Sequence, residues 1–174
     1  KRKHMTSLTL AALIPSATLL ILALTVLTGY AWMQRTTTGA RLYALFLLAT
    51  VGYLATNTIF VAGIVDATNG LFALERTFLL LASMLLLMFT FEYTGQFQGW
   101  PPKRLMAIVT LPLVCIALIW SNPLHRWLWV AVQETTGGGF PTMQTVDGLL
   151  GWLVPLTIAI YALATLFEMV FSLV

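Results

Sequence analysis

Five runs of about 20 apolar residues constrain the fold of this 174-residue chain more than any other feature. A helix needs about 20 residues to cross about 30 Å of hydrocarbon, and it satisfies its own backbone hydrogen bonds there. Only 9% of the residues are charged, whereas an average soluble chain has about 25%. The sequence therefore predicts an all-α membrane protein, a polytopic antiparallel helical bundle with about five transmembrane helices.

The predicted spans cover residues 8–33, 42–65, 71–91, 105–120 and 149–174, and a polar loop occupies residues 121–148. The first five residues, KRKHM, contain a His-Met pair like the one that a common cloning site leaves behind, so we interpret residues 1–5 as such a remnant. A signal peptide is the rival interpretation, but the apolar run that follows is about 24 residues long and no small-residue cleavage site ends it. Residues 6–174 are thus predicted to form a single transmembrane domain.

The distribution of basic residues predicts an orientation. The turns after the first and third spans carry four basic residues, Arg35, Arg41, Lys103 and Arg104. The positive-inside rule places these turns in the cytoplasm, and therefore places the N-terminus and loop 121–148 outside and the C-terminus inside. This prediction depends on leaving the first three residues out, because counting them reverses the balance to five against four.

The composition argues against several classes of site. The single cysteine, Cys115, lies within an apolar run, so neither a disulfide framework nor a cysteine-based metal site is predicted. His125 is the only histidine outside residues 1–5, and a metal site there would need Glu134 or Asp147, with no spacing typical of a binding motif. The net charge of +3 is too small to indicate a nucleic-acid partner. We predict no catalytic residue, metal or cofactor.

The stretch SNPLHRWLW, residues 121–129, is the main polar interruption of the apolar chain. Asn122 before Pro123 predicts a turn or cap at the end of the fourth helix, because a residue before proline disfavours helical geometry. The following LHRWLW is predicted to form a short interfacial helix with Leu124, Trp127 and Leu128 on one face. For His125 we favour a structural hydrogen-bonding role over ligand contact, and for the tryptophans an interfacial belt over a ligand-binding box.

Charged residues near the predicted membrane boundary are the better candidates for function. A charge at the bilayer centre costs about 2.5 to 3.5 kcal/mol, so such side chains usually have partners. Arg76 follows Glu75 at the start of the third span and is expected to pair with Asp66 or Asp147. This cluster either fixes the loop to the bundle or binds a charged ligand. Two further polar residues belong with these candidates: Asn57, expected to bond across helices, and Glu168, expected near the cytoplasmic interface.

Residues 137–139 are three consecutive glycines. They do not predict a phosphate-binding loop, since no GKS or GKT follows them and no strand is predicted before them. We interpret them as a mobile loop tip.

Two motifs carry a resemblance to a known family. The run NPLHRWLW, with Asn122, Pro123, His125 and Trp129, and the run FTFEYTG, with Tyr93 and Gly95, resemble segments at the same places in the N-terminal seven-transmembrane region of sensor histidine kinases. The resemblance implies a membrane sensor module of the cell (inner) membrane that passes its signal to a cytoplasmic kinase or cyclic-dinucleotide domain. It also implies two further helices, so we expect this chain to be a fragment of a longer protein.

The sequence as a whole thus favours the sensory input region of a signal-transducing receptor, itself not an enzyme. Its expected partners are the lipid bilayer, an effector in the same or another chain, and, as a further option, a second copy of itself. The predicted ligand-binding residues lie at the external mouth of the bundle: Asn57, Glu75, Arg76, His125, Trp127 and Trp129. The rival functions are a non-catalytic subunit of a membrane complex and a small transporter or channel, although no repeat typical of transporters is visible.

Overall fold

A computed structural model describes residues 2–62, 64, 68–96, 101–137 and 140–172 of the chain. The helices are α1 (Arg2–Met33), α2 (Ala40–Val61), α3 (Asn69–Tyr93), α4 (Pro102–His125) and α5 (Leu153–Phe171). Between α4 and α5 lie the strands β1 (Trp129–Gly137) and β2 (Phe140–Asp147). Each of the five helices is long and apolar enough to cross a membrane, which confirms the predicted five-helix membrane fold.

Helix α3 is the centre of the bundle. It packs against α2, α4 and α5, whereas α1 packs against α2 at the periphery. Helix α3 runs antiparallel to α2 and α4: the Tyr43 and Phe89 rings, from the start of α2 and the end of α3, are 5.2 Å apart, and Trp120 near the end of α4 donates to Thr77 near the start of α3 over 3.1 Å. The fully buried side chains of Leu80 and Cys115 lie in the core between these elements. We call the end of the bundle that carries β1 and β2 the hairpin end.

At the opposite end, the FTFEYTG segment terminates α3. The last helical residue is Tyr93, and Gly95 adopts φ +74°, in the left-handed region that glycine enters without a Cβ penalty. The Gln96 N–H then reaches back to the Phe91 carbonyl at 3.0 Å, as in the usual glycine-terminated helix end. This segment therefore shapes the chain reversal after α3.

Helix α4 is longer than predicted. It continues through Asn122 and Pro123 to His125, so the boundary placed at residue 120 and the separate interfacial helix LHRWLW are both wrong. Pro123 lies in the last turn of α4 and has no backbone N–H, so one carbonyl of the preceding turn loses its helical hydrogen bond. The hydrogen bonds of the turn after α4 can offset this cost. The helix ends at Arg126, whose φ of 54° and ψ of 32° turn the chain back.

The polar segment after α4 is a β-hairpin, which the sequence analysis treated as a loop. Its antiparallel register pairs Trp129 with Asp147 and Gly137 with Phe140, and Val130 is an extra residue that forms a bulge. The expectation that no strand precedes the glycines is wrong, because β1 ends at Gly137. Residues 138 and 139, on which the predicted mobile tip depends, lie outside the described residues.

Helix α5 starts four residues after the predicted boundary, because residues 149–152 form turns. Pro155 lies in the first turn of α5, where backbone N–H groups have no acceptor within the helix, so its missing N–H breaks no helical hydrogen bond. Near its far end, Glu168 is only 7% exposed, so its side chain is packed within the bundle. Its Oε1 atom is buried without a hydrogen-bond partner among the described residues.

Candidate functional site

Asn122 organises the turn that connects α4 to the hairpin. Its side chain is buried, its Nδ2 donates to the Trp129 carbonyl at 2.8 Å, and its Oδ1 accepts from the N–H groups of Leu128 at 2.9 Å and Trp129 at 3.4 Å. One amide thus satisfies three backbone groups that the end of a helix and the start of a strand would leave unpaired. Asn122 therefore holds the start of β1 against the end of α4.

His125 supports the same turn from its outer side. Its Nδ1 accepts from the Trp127 N–H at 3.0 Å, so the neutral ring carries its proton on Nε2. That Nε2 lies 3.0 Å from the hydroxyl oxygen of Ser121, which in turn donates to the Ala117 carbonyl at 2.8 Å. With both ring nitrogens bonded and the ring 4.6 Å from that of Trp127, His125 has the surroundings of a structural residue.

Two glycines hold the base of the hairpin against this turn. A Cβ on Gly148 would lie 2.5 Å from the carbonyl oxygens of Arg126 and Trp127, so only glycine fits there without displacement of the backbone. A Cβ on Gly151 would lie 2.9 Å from the Leu128 carbonyl oxygen. The close approach allows the Gly148 N–H to donate to that same Leu128 carbonyl at 3.0 Å. The start of α5 is thereby coupled to the end of α4.

An aromatic stack connects the hairpin to α3. The Trp129 indole donates to the Asn69 side chain at 3.2 Å, and its ring meets the edge of Phe72 at 5.0 Å with an interplanar angle of 82°. The Arg76 guanidinium carbon lies 4.6 Å from the centroid of the Phe72 ring, a cation–π distance. Because the Phe72 ring contacts both Trp129 and Arg76, the Arg76 cation lies next to the buried face of the hairpin.

These elements enclose a cavity of about 410 Å³ at the hairpin end. Its lining combines two opposite charges with aromatic and aliphatic walls and two glycines. The lining residues are Phe72, Arg76, Leu128, Trp129, Thr145, Asp147, Gly148, Gly151, Trp152, Val154 and Pro155. Concave sites of this volume, mostly apolar with a few polar groups, are typical of small-molecule binding.

Asn57 and Glu75 form a separate polar contact between α2 and α3. The Asn57 side chain lies beside the Glu75 carboxyl group, and its Nδ2 donates to the Tyr53 carbonyl within α2 at 3.1 Å. Glu75 is 8% exposed and does not line the cavity. This pair therefore connects two helices beneath the hairpin rather than facing the cavity.

The six residues predicted to bind a ligand thus separate into three groups. Arg76 and Trp129 line the cavity, Asn57 lies beside Glu75, and His125 contacts Trp127 on the outer side of the turn. Asp147, one of the two partners predicted for Arg76, lines the same cavity. Asp66, the other, lies outside the described residues, as does the side chain of Glu134.

Sequence reasoning missed most of the cavity. Phe72, Thr145 and Trp152 were not predicted, and neither were the two glycines that let the chain approach closely. The small residues of GLLG, residues 148–151, were the available signal, since glycine before a helix can mark a close backbone approach. Within the part of the chain that the structure describes, no group of three His, Cys, Asp or Glu side chains could hold a metal ion.

Comparison with protein families gives a match over residues 16–174, to the family described as the N-terminal 7TM region of histidine kinase. The chain belongs to this family. No curated protein and no solved structure matches it. The family assignment confirms the resemblance carried by the two motifs, and it places the chain among the transmembrane regions of signal-transducing histidine kinases.

In this histidine kinase 7TM region, the residues of both motifs form the ends of helices and the turns that follow them. Asn122 and His125 hold the turn into the hairpin, and Gly95 ends α3 at the opposite end. The region is the multi-pass, non-catalytic part of such a kinase, and the catalytic domain is not in this chain.

Proposed function

We propose that this 7TM region is the sensory input of a histidine kinase, receiving its signal at the hairpin end, outside the cytoplasmic membrane, and relaying it to a kinase domain in the same chain. The observation that carries the proposal is the cavity of about 410 Å³, in a chain of the histidine kinase 7TM family. The basic turns at the other end support this orientation through the positive-inside rule.

The position of the cavity suits an input. Its walls come from α3, from both strands of the hairpin and from the first turn of α5, so an occupant would contact three parts of the fold at once. A ligand shifts a conformational equilibrium only through different affinities for the two states. A site between separately packed elements offers such a difference, because its shape changes whenever they move relative to one another.

The relay is proposed to run along α5. Gly151, Trp152 and Pro155 at the start of this helix line the cavity, and Glu168 lies near its other end, with one buried oxygen that has no partner among the described residues. The free energy of a buried carboxyl group depends strongly on the polar groups around it. A displacement at the first turn would therefore change the environment of that carboxylate.

The proposed orientation is tested by cysteine accessibility in a Cys115→Ala background, which removes the one native thiol. Val146, half exposed on β2, and Gln96, exposed at the opposite end, are each replaced by cysteine. We expect a membrane-impermeant maleimide to label V146C but not Q96C on intact cells, and to label both after lysis. The reverse pattern would overturn the orientation.

The proposed sensory role is tested by autophosphorylation of the intact kinase. Trp152→Ala, at the start of α5, is expected to change the basal level several-fold, because it alters a cavity wall. Leu19→Ala, on the exposed surface of α1, is the matched control and should leave it unchanged. Equal levels for both variants and the native protein would contradict the proposal.

A further inference from the structure

The cavity carries two opposite charges on two different elements. Arg76 belongs to α3 and Asp147 is the last residue of β2. The Arg76 guanidinium is positioned by the face of Phe72, 4.6 Å from its carbon. A planar guanidinium presents several N–H donors in a geometry that matches a carboxylate or phosphate group. This side of the cavity is thus suited to an oxyanion.

The Asp147 carboxylate is also positioned. Its Oδ1 accepts from the Thr145 hydroxyl at 3.0 Å, and a Cβ on Gly151 would lie 2.9 Å from the Asp147 Cβ, so glycine leaves the room that the aspartate occupies. A carboxylate offers about four acceptor positions, and a single hydroxyl occupies one of them. The remaining positions suit an ammonium group, whose charge would oppose that of Asp147.

The remaining walls suit the apolar body of a small molecule. The rings of Phe72 and Trp129 lie on one side, and Trp152 and Val154 extend from the start of α5. Aromatic faces also attract an ammonium group through the ring quadrupole. A volume of about 410 Å³ lies within the range of small-molecule sites, about 300 to 1,000 Å³.

We propose that this cavity binds a small zwitterion, with its oxyanion at Arg76 and its ammonium at Asp147. A simple anion or a simple cation would contact one of the two charges and leave the other without a ligand partner, whereas a zwitterion contacts both. The same chemistry occurs in a free amino acid and in the headgroup of phosphatidylethanolamine. The inference takes its site from the proposed function and adds the class of ligand.

The experiment measures binding to the purified full chain in a non-ionic detergent by isothermal titration calorimetry. The first arm uses glycine, L-leucine and L-phenylalanine, and the second uses dihexanoyl-phosphatidylethanolamine. Each arm has controls that lack one charge: N-acetyl-L-phenylalanine and L-phenylalaninamide for the first, and dihexanoyl-phosphatidylglycerol for the second. We expect at least one zwitterion to bind about tenfold or more tightly than its single-charge controls, the factor that one lost charged hydrogen bond represents.

Variants assign that binding to the cavity. Arg76→Gln and Asp147→Asn should each weaken zwitterion binding by about tenfold or more, whereas Arg126→Gln, an equal charge change at the hairpin end but outside the cavity, should not. The exchange variant R76D/D147R should recover part of the loss, since a zwitterion can bind in the reverse direction. Thermal unfolding without ligand shows whether each variant remains folded, and the exchange variant keeps the test decisive if one single variant does not.

Each outcome has a definite meaning. Preferential binding of an amino acid identifies a free solute, and preferential binding of the phosphatidylethanolamine identifies a lipid headgroup; both support the zwitterion site. Equal binding of the single-charge controls, or no binding of any zwitterion, overturns it. Zwitterion binding that leaves autophosphorylation of the intact kinase unchanged would instead contradict the proposed sensory function while preserving the site.

Discussion

The two ends of the bundle differ in how completely their buried polar groups are bonded. At the hairpin end, Asn122 makes three hydrogen bonds to backbone groups, and His125 bonds through both ring nitrogens. At the opposite end, Glu168 is also buried, yet its Oε1 has no partner among the described residues. The surrounding α5 side chains Phe167 and Phe171 are about 60% exposed.

The difference indicates how a signal would act on the protein. The bonded turn after α4 fixes one wall of the cavity, so the wall at the start of α5 is the part that an occupant would displace. At the opposite end, the buried Glu168 oxygen has no partner among the described residues, so a displacement of α5 would change the surroundings of that atom. A fixed wall that faces a movable helix is what a relay along α5 requires. Each of the following changes alters one side of that contrast.

The largest effect is expected for Asn122→Ala. It removes three hydrogen bonds and leaves the backbone of Leu128 and Trp129 unpaired, so the free energy of unfolding should fall by about 3 to 5 kcal/mol. Asn69→Ala, which removes one bond to the Trp129 indole, should lower it by only about 1 kcal/mol. Detergent-induced unfolding followed by circular dichroism measures both. Similar losses would show that Asn122 is not the centre of the turn.

A somewhat smaller loss is expected for Gly148→Ala. Its Cβ would meet two backbone carbonyl oxygens at 2.5 Å, so we expect a loss of about 2 to 3 kcal/mol as the hairpin base moves away from Arg126. Gly70→Ala is the matched control, because no atom lies within 4 Å of its added Cβ, and its stability should not fall. If both substitutions were tolerated equally, the close approach at the cavity wall would be wrong.

Replacing each buried glutamate by methionine should have opposite effects at the two ends. Glu168→Met removes an unpartnered oxygen and should raise the free energy of unfolding by about 1 to 2 kcal/mol. Glu75→Met removes the charged neighbour of Asn57 and Arg76 and should lower the free energy of unfolding by about 1 kcal/mol. The same unfolding assay compares the pair. Changes of the same sign would remove the contrast between the ends.

The smallest effect is expected for Arg126→Gly. Arg126 has a positive φ of 54°, which glycine adopts without a Cβ penalty. Glycine also gives the unfolded chain more freedom, which offsets part of this gain. The free energy of unfolding should therefore rise by only about 0.5 kcal/mol. Arg126→Ala keeps the Cβ and should show no gain. A clear loss in the glycine variant would mean that the Arg126 side chain itself stabilises the turn.

The sequence allowed the helices to be predicted because their signal is local. Twenty consecutive apolar residues are enough to indicate a membrane span, and all five spans are helices in the structure. The ends of the helices were less predictable, since they depend on distant contacts. The proline rule ended α4 at residue 120, whereas the bonds from Asn122 to Leu128 and Trp129 allow it to continue to His125.

The candidate site was predictable only in part for the same reason. Arg76 and Trp129 were found because a charge and an aromatic residue near a membrane boundary are conspicuous. Thr145 and Trp152 reach the cavity only because β2 pairs with β1 and two glycines permit close packing, and no local pattern shows either. The alternation of β-branched residues around the glycines was the missed signal for the hairpin.

The relay along α5 is tested most directly by a labelling rate at the end remote from the cavity. In the Cys115→Ala background, Phe171 and Tyr93 are each replaced by cysteine. Phe171 lines the same surface groove as Glu168. Tyr93 is exposed at the same end of the bundle but does not line that groove, so Y93C is the control. We expect the charge reversal Arg76→Glu in the cavity to change the rate of maleimide labelling at F171C several-fold and to leave the rate at Y93C unchanged. Equal rates at F171C with and without the charge reversal, in a variant that remains folded, would contradict it.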